Sequence, residues 1–107
     1  MSDRTEKVAN LIKEKAAFFL TRESSGSSLL TITRATVSPD LKKATVFITV
    51  LPESKEDAAL FFVKRKLGEL REALKNELAM KRVPFLEAEI DRGEKNRQKI
   101  DELLRSK

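Results

Sequence analysis

The chain has 107 residues, 40% of them apolar, with 22 Lys/Arg against 17 Asp/Glu; that suits one domain with a single modest core. Cysteine and histidine are both absent, which excludes disulfides, thiol nucleophiles, imidazole bases and the usual zinc ligands together.

In chain order, Asp3 with Glu6 three residues later resembles a capping box and opens a helix over 3–22. Its apolar face carries Val8, Leu11, Ile12, Ala16 and Phe19, with the Lys15 stem lying along it and the ammonium in water. Glu23–Ser28 is a serine-rich loop. Residues 29–38 are β-branched and threonine-rich, a strand whose apolar parity switches between Leu30/Ile32 and Ala35/Val37. A bulge near Thr33–Arg34 reconciles the two halves. Pro39 and Asp40 supply a turn, and Ala44, Val46, Ile48 and Val50 alternate with Thr45, Phe47 and Thr49 in a strand over 43–51 that pairs back as a hairpin.

Ser54 and Asp57 cap a second helix over 55–82, with Leu60, Val63, Leu67, Leu70, Leu74 and Leu78 on its core face and a kink near Gly68. Val83–Pro84 ends it. Leu86, Ala88 and Ile90 alternate with Glu87, Glu89 and Asp91 in a strand over 85–91, and a last helix over 94–105 carries Ile100, Leu103 and Leu104. The order is an α+β layer, with helices on one face of a three-stranded sheet. Neither the N-terminus nor any other segment reads as a signal peptide or membrane span, so a cytoplasmic protein with no membrane partner is expected.

Catalysis finds little support. The carboxylates of Glu87, Glu89 and Asp91 on alternate strand positions are too spread to converge on one ion. No histidine is present to activate a serine, and no G-x-x-x-x-G-K loop occurs. No enzyme activity, cofactor, metal or small-molecule substrate is expected.

Charge is more informative. Residues 64–82 hold seven Lys/Arg against three Asp/Glu, while the flanking parts are nearly balanced. Such a local basic stripe is the footprint of phosphate binding, or else a solvated helix face. Lys64, Arg65 and Lys66 precede Gly68; Arg71, Lys75, Lys81 and Arg82 follow it. A glycine there either bends or breaks the helix, baring N–H groups that attract phosphate, or makes room for a packed neighbour. Most of the six phenylalanines are expected in the core, with Phe62 either a stacking residue or part of a satellite cluster.

The whole chain resembles the bacterial ribosome-binding factor A family. The resemblance rests on "RTEKVANLIKEKAAFFLTRE", "LLTITRATVSPDLKKATVFITVL", "LGELREALKNELAMKRVPFLEAEID" and "KIDELL", in that order and without a large gap. It implies a type II KH-like fold, α-β-β-α-β, with a kinked second helix and a C-terminal helix, in which an Ala-x-Gly kink replaces the usual Gly-x-x-Gly loop. Here the kink reads Lys66-Leu67-Gly68, with lysine in the alanine position. It further implies binding to the small ribosomal subunit and its rRNA during late maturation and rRNA processing, a link to growth in the cold, and no chemistry of its own. The expected RNA contacts of this monomer are Lys64, Arg65, Lys66, Gly68, Arg71, Lys75, Lys81 and Arg82, with Arg34, Lys42 and Lys43 on the hairpin as a second set. A general KH-like RNA binder and a protein-interaction module are the alternatives.

Overall fold

The computed structural model describes residues 3–23, 29–78 and 82–105. Helix α1 (Asp3–Glu23) is followed by β1 (Leu29–Val37), β2 (Lys43–Leu51), a 3₁₀ turn at Glu53–Lys55, α2 (Glu56–Leu78), β3 (Phe85–Ile90) and α3 (Arg92–Arg105). The sheet order is β1-β2-β3, with β1 antiparallel and β3 parallel to the central β2. A parallel neighbour needs a crossover, and α2 is that crossover.

Helix α1 lies on β1, α2 lies on β3, and the two helices touch. The core between them and the sheet is aliphatic: Val8, Ile12, Ala16 and Leu20 from α1, Val63, Leu70 and Leu74 from α2, and Ile32, Ala44, Val46, Ile48, Val50, Leu86 and Ala88 from the strands. The buried face of α1 therefore recurs every four residues. Leu11, expected on it, is exposed, whereas Phe19 packs at its edge and Lys15 is half-buried beside it.

The parity switch in β1 is resolved by one extra residue. Pairing is regular from Leu29↔Leu51 to Ile32↔Ile48, skips Thr33, and resumes at Arg34↔Phe47. The bulge turns Ala35 and Val37 toward the helices, as Ile32 is before it. At the hairpin turn the Asp40 carboxylate accepts bonds from the Ser38 hydroxyl (2.6 Å) and the Lys42 N–H (3.1 Å). These hold Leu41 in the left-handed region at φ 61°.

Two expectations are corrected. Ser54, expected to cap α2, lies inside the 3₁₀ turn that precedes the helix, and that turn is entered from Pro52 without a side-chain capping bond. The phenylalanines are not core residues: Phe18, Phe61 and Phe85 are more than 60% exposed, and Phe19 and Phe62 only pack against the margin of the core. Ile100, Leu103 and Leu104 of α3 are 57–70% exposed, because the sheet face that receives helices is already filled by α1 and α2.

Asp91 ends β3 and caps α3, its Oδ1 accepting the Glu94 N–H at 3.0 Å. Its Oδ2 accepts from the Thr33 hydroxyl at 2.6 Å and from Arg34 Nε at 3.2 Å. One buried carboxylate thus fastens the bulge of β1, the end of β3 and the start of α3.

Candidate nucleic-acid interface

Helix α2 decides where the basic segment goes. Val63, Leu70 and Leu74 are buried, and their spacing sets the helix rotation. Lys64, Gly68, Arg71 and Lys75 then follow one another at i, i+4, i+7 and i+11. That spacing draws a single line along one flank, and all four positions are exposed. Arg65 lies next to this line on the outward ridge, exposed, with its guanidinium 5.8 Å from the Phe61 ring centroid.

Lys66 does not join them. Two residues beyond Lys64 it is turned by about 200°, half-buried, with its ammonium 3.2 Å from Glu69 Oε2 and 5.9 Å from the Phe62 ring. Arg71 has two roles: its Nη2 donates to the Val83 carbonyl at 2.9 Å, strapping α2 to the segment that enters β3, while the rest of the side chain stays on the flank.

Gly68 neither breaks the helix nor makes room for a packed neighbour. Helix α2 runs through it without interruption, so no helix N-terminus and no free N–H groups are presented there. A helical glycine costs about 1 kcal/mol relative to alanine, too little to break a helix anchored by buried residues on both sides. Close packing is absent as well, because a Cβ added at Gly68 would meet nothing within 4 Å. The position is a bare, exposed stretch of backbone in the middle of the cationic line.

The hairpin cations are mostly committed to the fold. Arg34 stacks 3.9 Å above the Phe47 ring and pairs with Asp91. Lys43 pairs with Glu87 across the β2–β3 ladder at 3.3 Å. Lys42 and Arg82 are exposed at the end of the sheet where β3 begins; the Lys42 carbonyl accepts the Phe85 N–H at 2.8 Å. Lys81 lies outside the described residues.

A groove of about 440 Å³ runs between α2 and the free edge of β3, lined by Lys64, Leu67, Phe85, Leu86, Glu87, Ala88 and Glu89. The bonds Phe85 N–H to Lys42 O and Asp91 N–H to Ile48 O show that odd-numbered residues of β3 face β2. By alternation the N–H and C=O groups of Leu86, Ala88 and Ile90 point to the open edge. The groove therefore has a cationic helix wall and a strand wall with free backbone donors and acceptors, skirted by Glu87 and Glu89.

Asp91 is held as a carboxylate. Burial pushes its pKa up, but bonds from Thr33, the Glu94 N–H and Arg34, with the Arg34 charge, outweigh burial and hold it below the ordinary aspartate range. With both oxygens occupied it is no partner for Glu87 and Glu89 at a metal. Among the described residues no group of three or more His, Cys, Asp or Glu is placed to hold an ion.

Phe61, 64% exposed beside Arg65, is not among the residues singled out above. It falls outside the apolar run of α2 and precedes Lys64 and Arg65 by one turn.

An α-β-β-α-β layer with a parallel third strand and a cationic flank on the crossover helix defines a type II KH-like domain. Comparison with known proteins is specific. The family model described as ribosome-binding factor A matches residues 4–104, and the chain belongs to that family. It is 34% identical to ribosome-binding factor A of Magnetococcus marinus, over 97% of this chain and 88% of that one. Against the Chlorobium luteolum protein it is also 34% identical, over 99% and 92%. The crystal structure of ribosome-binding factor A from Thermus thermophilus is similar with a TM-score of 0.72 at 25% identity, over 82% of this chain and 97% of that one. A homology model of the Thermus thermophilus factor, fitted into a cryo-EM map of a 30S complex, is similar with a TM-score of 0.68 at 26% identity, over 78% and 91%.

Proposed function

We propose that this protein is an assembly factor that docks as a monomer on the small ribosomal subunit in the cytoplasm, laying the α2 flank against rRNA and assisting late maturation and rRNA processing. It acts by binding and not by catalysis. The observation that carries this reading is the line Lys64–Gly68–Arg71–Lys75 with Arg65 beside it, a row of exposed cations on one continuous helix. The family's factor fitted on a 30S subunit supplies the partner. Phosphates follow the helix wall, where the charge favours them. They keep away from the β3 edge, where Glu87 and Glu89 would repel them.

The test is co-sedimentation with purified small subunits across a salt series. Replacing Lys64, Arg65 and Lys75 by alanine removes three phosphate contacts without touching Arg71, which also braces the fold. Binding should weaken at every salt concentration, and the log–log salt slope should become shallower by about 2–3. Unchanged binding by this variant would refute the placement of rRNA on α2. Recovery of the unaltered chain with free RNA, and not with subunits, would leave only a general RNA binder.

A further inference from the structure

Three of the six phenylalanines are left largely in water: Phe18, Phe61 and Phe85 are 62%, 64% and 64% exposed. Phe61 differs in its surroundings. Lys64 and Arg65 follow at i+3 and i+4, the two positions that share its side of the helix. Gly68 follows at i+7, about 10.5 Å further along the axis, where the backbone carries no side chain and the space above it is open. The nearest acid on this side, Asp57, lies one turn in the opposite direction. Phe85, by contrast, shares its strand face with Glu87 and Glu89, which disfavours a polyanion.

We propose that Phe61 is a stacking platform for an unpaired nucleobase of the rRNA. The proposal rests on the docking reading above and deepens it, since phosphate contacts alone need no aromatic ring. A base laid on the ring face places its phosphates over Lys64 and Arg65, and the Arg65 guanidinium, already 5.8 Å from the ring centroid, can close over the base. The next sugar then passes over Gly68, where any side chain would stand in its path. Ring, cations and bare backbone lie in sequence along one ridge, the combination that single-stranded RNA requires.

The chain contains no tryptophan or tyrosine, so F61W carries its only indole. Two measurements decide the matter. First, indole fluorescence is followed while single-stranded oligoadenylate is added; quenching at saturation is expected. Second, F61L keeps apolar bulk and helix propensity but removes the ring. Its affinity for labelled oligoadenylate and for small subunits should fall roughly fivefold to 150-fold, with the salt slope unchanged because no charge is lost. Wild-type affinity in F61L, or an unquenched indole at saturation, overturns the proposal and leaves docking intact. Loss of subunit binding with oligoadenylate binding unaffected means that the ring meets a protein, and also overturns it. If the unaltered chain fails to co-sediment with small subunits, the docking reading itself has failed.

Discussion

Asp91 is the single residue on which most of the architecture turns. It is 4% exposed and receives bonds from Thr33, Arg34 and the Glu94 N–H. Asp91→Ala strands a guanidinium and a hydroxyl and uncaps α3. The expected loss is about 2 kcal/mol, or on the order of 10 °C in Tm, readable by thermal denaturation. The pH dependence follows from the direction of its shift. A carboxyl whose folded pKa is depressed contributes stability that is complete above its unfolded value of about 3.9 and disappears as pH falls through the folded value. The stability gap between the unaltered chain and Asp91→Asn should therefore be constant near neutrality and narrow below about pH 4. Asp40, held down first by the Ser38 hydroxyl, and Glu94, held down first by Arg97, shift in the same direction, so acid should weaken the hairpin turn and the α3 cap over the same range. Gly68 behaves oppositely. It is helical, exposed and free of clashes, so Gly68→Ala should stabilise the fold by about 0.5–1 kcal/mol while weakening co-sedimentation with small subunits.

Among the elements, the bulged β1 makes the sharpest case for sequence dictating register. Leu30 and Ile32 precede the extra residue, Ala35 and Val37 follow it, so deleting Thr33 restores strict alternation with every apolar side chain still turned inward. The deletion should fold to the same hairpin and cost about 1–2 kcal/mol for the bonds that Thr33 makes to Asp91 and the Phe47 carbonyl, measurable by denaturant titration. A period of two made β1, its bulge and β2 legible from residue types alone, and the rotation of α2 was legible in the run Val63, Leu70, Leu74. The pairing of cations was not. Arg34 meets Asp91 57 positions away, and Lys43 meets Glu87 only because β3 lies parallel to β2 in one particular register. Long-range placement, not local chemistry, ties Arg34 and Lys43 to acidic partners in the fold. Lys66 was separable from Lys64 by helix geometry, yet a run of three cations reads as one patch until the rotation is drawn.

At the scale of the molecule the extents are 52 × 32 × 17 Å, the thinness of one helical layer on one sheet. The radius of gyration, 14.7 Å, exceeds the roughly 13 Å expected for a compact chain of this length. Helix α3 is the least packed element. It makes only sparse contacts with the other elements, exposes Ile100, Leu103 and Leu104, and is tied down chiefly at its first turn through Asp91. Beyond that turn the Arg97 pairs with Glu94 and Asp101 support it. Such exposed pairs contribute a few tenths of a kcal/mol each, and a helix of this length is marginal alone. The domain should therefore open in two steps. In native-state hydrogen exchange, α3 amides beyond Arg97 should exchange at a low opening free energy, while those of β2, α1 and the Val63–Leu74 stretch of α2 exchange only with global unfolding. The α2 flank would then stay ordered through the opening of α3. Protection of α3 equal to that of β2 would show instead that the last helix belongs to the cooperative core.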